Sequence, residues 1–234
     1  LAKTHEAAGL LRPHGFSWMQ APTSPDQAPG RTSENYASIL LHFGYARPQT
    51  LLGMVEAWRS LMLLCDADVV VVDHAPTAIL AARTLGLPVM NHGNGFTVPP
   101  PVHPTPQFRS WREADPAVLL ANDQAALSSI NGVLGKLDCP PLARLADLFD
   151  MAEPALLTFP ELDHYAHRGP ARYWGIAPPA AGEAPQWPSV PGPKVFAYVR
   201  PTGKHHGAVL DALKQLDASV LVVAPGASSE LRER

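Results

Sequence analysis

Cysteine is nearly absent from this chain: Cys65 and Cys139 are the only two among 234 residues. Two thiols cannot staple a small secreted scaffold, so that class is excluded and each reads as a buried free thiol. Long apolar runs are missing too. The longest are cut by Asp66, Asp68 and Asp73, and nothing approaches the roughly 18 residues of a membrane span. Basic charge is not in excess, because 18 Lys and Arg face 21 Asp and Glu for a net charge of −3. That balance gives no electrostatic reason to expect nucleic acid. No repeat recurs at roughly 20 to 50 residues, and no basic-then-apolar leader opens the sequence. The G-x-S-x-G elbow of many hydrolases is not found. These absences point to a globular, cytoplasmic protein.

Proline is what the chain has in excess. Its 26 residues are about twice the usual share of roughly 5%, and they fall in clusters that mark loops between ordered elements. With 46% apolar residues the chain can bury a sizeable core. Spacing predicts a helix over 1–11, a short strand over 16–20, a helix from a Ser33 cap to 43 and a longer helix over 49–65. Asp68-Val-Val-Val-Val-Asp73 is a continuous β-branched run, the pattern of a parallel strand buried on both faces. A helix over 76–85 follows, with Pro76 in its first turn and Gly86 at its stop. A strand over 87–91 completes a βαβ unit, expected to be right-handed. Five prolines exclude regular structure from 98–106. A helical region over 115–137, broken near Gly132, a short helix over 141–149 and a strand over 155–159 come next.

Residues 178–193 hold six prolines and two glycines, the composition of a linker. Beyond them the pattern restarts, with a strand over 194–199, a helix over 206–216 and a strand over 219–223. One helix and two strands are too few to bury their own apolar faces. The expectation is therefore a fragment. It comprises a first domain over 1–177, a linker over 178–193 and the beginning of a second domain over 194–234. The expected class is α/β, a Rossmann-like parallel sheet with helices on both faces.

In an open parallel sheet, ligands bind beyond the carboxyl ends of the strands. Asp73-His74-Ala75-Pro76 and Asn91-His92-Gly93-Asn94-Gly95-Phe96 are two such ends, and Phe159-Pro160-Glu161 is a third. Asp73, His74, Asn91 and His92 thus converge where a site is expected. The plain alternative is that Asp73 caps the next helix and both histidines are ordinary loop residues. No helix start follows Gly93-x-Gly95, so the pair suits a tight turn or close approach to a bound molecule better than a phosphate cradle. Asp66-Ala-Asp68 has a spacing that can hold a divalent metal. It lies at the amino end of its strand and reads as a solvated turn. His205 and His206 lack a third ligand, so no metal is expected. Glu161 and Asp163 are read as facing a turn and solvent.

The stretch from Asp68 to Pro88 resembles the middle of the N-terminal domain of GT-B glycosyltransferases, in particular bacterial enzymes that glycosylate macrolides and flavonoids. Leu156-Leu-Thr-Phe-Pro-Glu-Leu-Asp163, Tyr173-Trp-Gly-Ile-Ala-Pro178 and Lys194-Val-Phe-Ala-Tyr-Val-Arg-Pro201 fit the same family in the same order. The resemblance implies two Rossmann-like domains, the first binding acceptor and the second a nucleotide sugar. It implies inverting transfer to a hydroxyl with no metal and no cofactor, the nucleotide sugar being a co-substrate. Asp73 falls where the family's Asp orients a base histidine. His74, Asn91, His92, Gly95 and Phe96 fall on acceptor loops, and Arg200, Thr202 and Gly203 on a loop near the donor diphosphate. The base histidine and the first strand are expected before Leu1 and the donor motif after Arg234, so the fragment alone is expected to be inert.

Two other readings stand beside this one: a nucleotide-sugar epimerase, and a non-catalytic binding protein on the same scaffold. A roomy pocket lined by Phe96, Pro99, Pro100, Pro101 and Trp111 would favour an apolar acceptor and hence a transferase. Acceptor choice is expected to lie in 33–65 and 97–111, which carry Tyr36, Phe43, Tyr45, Trp58, Phe108 and Trp111. Those rings could equally be core.

Overall fold

The computed structural model describes residues 6–24, 33–109, 111–150, 152–165, 168–176, 184–189, 191–200 and 204–226. It divides into two compact units, Leu1–Ala177 and Pro178–Arg234. Both contain parallel strands and helices, so the α/β class expected from the sequence is the class observed.

The first unit opens with α1 (Glu6–Leu11), closed by a 3-10 turn and the left-handed Gly15. Residues 16–19 form no strand, and Phe16 is exposed, so the apolar run there is a surface loop. The next helix, α2 (Tyr36–Leu40), starts at Asn35 and not at Ser33. Asn35 Oδ1 accepts from the Ser38 N–H and Ser38 Oγ accepts from the Asn35 N–H, a reciprocal cap. The Ser33 hydroxyl is used elsewhere, 3.1 Å from His42 Nδ1. After α2 the chain widens into a π turn, Leu41–Tyr45, kinked at Phe43 and Gly44, before α3 (Pro48–Leu64).

Strand β1 (Val70–Asp73), helix α4 (Pro76–Leu85) and strand β2 (Val89–Gly93) make the βαβ unit. A 21-residue α5 (Pro116–Lys136) runs unbroken through Gly132. The expected helix over 141–149 is only a 3-10 turn, Leu145–Leu148. Strand β3 (Ala152–Leu156) lies three residues earlier than its apolar run suggested, because Ala152 pairs with Val89. The sheet order is β1-β2-β3, all parallel.

One sheet face carries Val72, Val89 and Ala152 into a core with Leu51 and Val55 of α3, Ile79 of α4 and Ile130 and Leu134 of α5. The other face carries Val71 and Met90, which are 58% and 39% exposed. The valine run is therefore buried on one face and not on two. The thiols also differ from expectation: Cys65 is exposed at the end of α3 and Cys139 is only part-buried.

In the second unit β4 (Lys194–Tyr198) and β5 (Ser219–Val223) are parallel and α6 (His206–Lys214) connects them. Its sheet also shows an open face, with Phe196 and Tyr198 exposed. Among the described residues no helix is long and apolar enough to cross a membrane.

Candidate functional site

The carboxyl ends of β1 and β2 are where the chemistry-bearing residues meet. In-register parallel pairing sets Asp73 beside His92 on one face, and Val72 beside Asn91 on the other. Asp73 is exposed. It does not cap α4, whose N-cap Ala75 has no side-chain bond. A Cβ at Gly93 would lie 3.3 Å from Asp73 Oδ1 and 2.1 Å from Thr97 Oγ1, so glycine leaves room for both groups. His92 is part-buried, and its Nδ1 is buried with no hydrogen-bond partner among the described residues. Asn91 is 2% exposed. Its Nδ2 donates to the Thr97 carbonyl at 3.4 Å while its Oδ1 is buried and has no partner among the described residues.

His74 follows Asp73 with φ 48, a left-handed conformation just past the end of β1. The ring stacks edge-on against Tyr36 and Phe96, at 6.1 and 5.7 Å between centroids. Phe96 sits on a 3-10 turn capped by Asn94. Around it stand Tyr36, His74, Phe108 and His164 within 6.3 Å, an aromatic cluster of the edge-to-face kind that aromatic quadrupoles favour. Tyr36 is buried and its hydroxyl has no hydrogen-bond partner among the described residues. Burial, with Tyr45 and Tyr165 nearby, pushes that hydroxyl well above the usual tyrosine range.

The loop carrying Phe96 is held from below by a buried ion pair. The side chains of Arg168 and Asp163 are 7% and 2% exposed. The guanidinium donates to both Asp163 oxygens, to the Val98 carbonyl and, at 2.8 Å, to the Gly95 carbonyl. Asp163 also accepts from the Tyr165 N–H at 3.0 Å and the Tyr173 hydroxyl at 2.8 Å. Burial pushes its carboxyl up, but these donors outweigh it and hold the group below the ordinary carboxylate range. Gly95 packs directly on this carboxylate, since a Cβ there would come within 2.1 Å of Oδ1. Asp163 is thus no solvated turn residue, as its sequence position suggested, while Glu161 is exposed.

A second buried hub ties α2, the proline-rich loop and α5 together. Asp123, 1% exposed, accepts from the Thr105 N–H at 2.7 Å, the Thr105 hydroxyl at 3.0 Å and Asn35 Nδ2 at 3.2 Å. His103 Nδ1 lies 3.5 Å from it. Burial raises the Asp123 carboxyl above its usual value, against the pull of these partners.

A cavity of about 140 Å³ opens beside His74. Ile39 and Leu40 of α2, Phe43 and Tyr45 of the π turn, Met54 and Trp58 of α3 and residues 74–77 after β1 line it, with residues 22–24 along one side. It is largely apolar, with the Tyr45 hydroxyl 3.2 Å from the Thr77 hydroxyl as a polar spot. The pocket expected around Phe96, Pro99, Pro100, Pro101 and Trp111 is not this one. Pro99 and Pro100 are buried and Trp111 is 81% exposed. His74 belongs to both the cavity and the aromatic cluster, whereas Asn91, His92, Gly95 and Phe96 do not line the cavity. The cavity's lining was traceable to the aromatics of 33–65. The clamp through Arg168 carried no sequence signal.

In the second unit, Arg200 is exposed in the loop after β4, while Thr202 and Gly203 lie outside the described residues. Among the described residues no group of three His, Cys, Asp or Glu side chains could hold a metal ion.

No family model matches the chain, and no curated protein matches it. Among solved structures it is similar to the glycosyltransferase SsfS6 of Streptomyces sp. SF2575. They share 16% identity and a TM-score of 0.49, over 97% of this chain and 59% of that one. The SsfS6 complex with thymidine diphosphate gives 15% identity and a TM-score of 0.46, over 94% and 57%. The chain thus spans less than two thirds of the length of either.

Proposed function

We propose that this chain is the acceptor-binding half, with the opening of the donor-binding half, of a glycosyltransferase that moves a sugar from a nucleotide sugar to the hydroxyl of an apolar acceptor. The observation that carries the reading is the apolar, ring-lined cavity at the carboxyl end of β1, whose lining includes His74, the residue that follows the exposed Asp73 in sequence. An aromatic acceptor fits that cavity by burial of its rings. Its hydroxyl would lie toward the strand end. There a fixed carboxylate beside a histidine base favours the imidazolium that forms as the hydroxyl proton is taken. In this proposal Asp73 acts as a positioning group for the base histidine. Arg200, Thr202 and Gly203 are the donor-side contacts of the proposal. The reading includes inversion at the sugar carbon, independence of metal and a cytoplasmic site of action.

The test uses the protein as its source makes it, incubated with a panel of nucleotide sugars and 2-naphthol. The expected product is a naphthyl glycoside, detected by mass. Asp73→Asn should lower kcat by about 10²-fold or more while KM for 2-naphthol stays within about threefold. A variant that turns over at the wild-type rate contradicts the role of Asp73. Binding of 2-naphthol with no transfer from any donor leaves a binding protein instead.

A further inference from the structure

We infer that Phe43 is the residue that sets how large a molecule the cavity accepts. This rests on the acceptor reading of the cavity and adds what limits the acceptor's size. Helix α2 does not stop at a capping glycine. Instead it loosens into the π turn Leu41–Tyr45, where Phe43 has φ −106 and ψ 39 and Gly44 has φ 99. Such widened turns recur at functional sites. The outcome here is an unusual placement: Phe43 lines the cavity and is still 47% exposed. A phenyl ring with one side on a cavity and the other in solvent is the cavity's wall at its mouth.

The glycine is required by space as well as by angle. A Cβ at Gly44 would come within 2.8 Å of Met54 Cε and of Ser24 Oγ, both on the cavity lining. The chain at Gly44 therefore runs against the cavity lining, directly beside Phe43. Ile39 and Leu40, one turn earlier, line the cavity from α2, and Phe43, four and three residues on, falls on the same stripe of the helix.

Size follows from volume. An apolar cavity of about 150 Å³ takes one benzene ring, and this one is about 140 Å³. With Phe43 in place the enclosed part of a ligand is thus a single ring, and any further ring must project outward. Removing the phenyl group frees a space of comparable size at the mouth.

Equilibrium dialysis of phenol, 2-naphthol and 1-hydroxypyrene against the wild type, Phe43→Ala and Phe43→Trp tests this without any transfer step. Phe43→Ala should tighten 1-hydroxypyrene by about tenfold or more and leave phenol within about threefold. Phe43→Trp should weaken 2-naphthol and leave phenol nearly unchanged. Both variants should melt close to the wild type, because the ring is half-exposed. If the three phenols shift in parallel, or none shifts, Phe43 is no size filter and the inference fails while the acceptor cavity stands. If none of them binds any of the three proteins, the acceptor reading falls and this inference with it.

Discussion

Replacing Arg168 by alanine should cost far more than an ordinary surface ion pair. Its guanidinium and the Asp163 carboxylate are 7% and 2% exposed. Truncation would leave that carboxylate with two donors, the Tyr165 N–H and the Tyr173 hydroxyl. It would also strip two backbone carbonyls, of Gly95 and Val98, of a charged donor. Removing one partner of a buried pair typically costs about 3–5 kcal/mol, because the remaining charge stays buried without its counterion. An exposed pair costs about 0–1 kcal/mol. For a unit of this length each kcal/mol moves the melting temperature by roughly 2–4 °C, so the expected drop is on the order of 6–20 °C. Arg168→Lys keeps the charge but not the planar fork that reaches Asp163 and both carbonyls, and should fall between the two. The assay is urea unfolding followed by far-ultraviolet circular dichroism. Near-ultraviolet dichroism then reports the rings around Phe96, which should lose order in Arg168→Ala before the sheet melts. A cost under about 1 kcal/mol would refute the clamp.

Two glycines should respond to the same substitution in opposite directions. Gly44→Ala is expected to destabilise by about 1–3 kcal/mol, because φ 99 and the approach of Met54 both oppose a side chain. Gly53→Ala, at an open position inside α3, should stabilise by about 0.5–1 kcal/mol. Urea midpoints of the two variants check both signs, and equal effects would contradict the kink. Acid titration tests Asp163. Its folded pKa lies below the ordinary 3.8, so the stability it supplies is complete above 3.8 and is lost as pH falls through the lowered value. The stability gap between wild type and Asp163→Asn should therefore narrow below pH 3.8 and stay flat above pH 5. A gap that grows with acid would reverse the sign and defeat the assignment.

The elements legible in the sequence were those whose local signals agree. Helix α4 runs from Pro76 to Leu85 with Gly86 left-handed behind it, as its proline and glycine indicate. The restart at Lys194 and the strand at Ser219 also fall where their apolar runs place them. Elements defined by partners were displaced. Strand β3 starts at Ala152 because it pairs with Val89, a choice its own run of Leu156 to Phe159 does not reveal. Asn35 outcompetes Ser33 as a cap because its amide group also reaches Thr105 and Asp123, some 70 and 88 residues away. The same reason hid part of the site. Asp73 and His74 stand at a strand end that local pattern exposes. The Arg168–Asp163 clamp joins segments across 70 residues, and only tertiary packing turns Asp163 inward. Phe43 was visible as an aromatic in an acceptor region. Its spacing from Ile39 and Leu40 puts it on their face, but the cavity that face lines is formed with α3 and the end of β1, which local pattern does not reveal.

The central claim is that the cavity between α2, α3 and the end of β1 receives the acceptor. Methyl spectra of the protein carrying labelled methionine, titrated with 2-naphthol, test it most directly. Met54 lines the cavity, whereas Met90 lies on the open face of the sheet. The account predicts a saturable shift of the Met54 methyl with Met90 unmoved, and its loss in Met54→Leu with binding retained. A shift confined to Met90, or saturable binding that leaves Met54 unmoved, would place the ligand elsewhere and contradict the account.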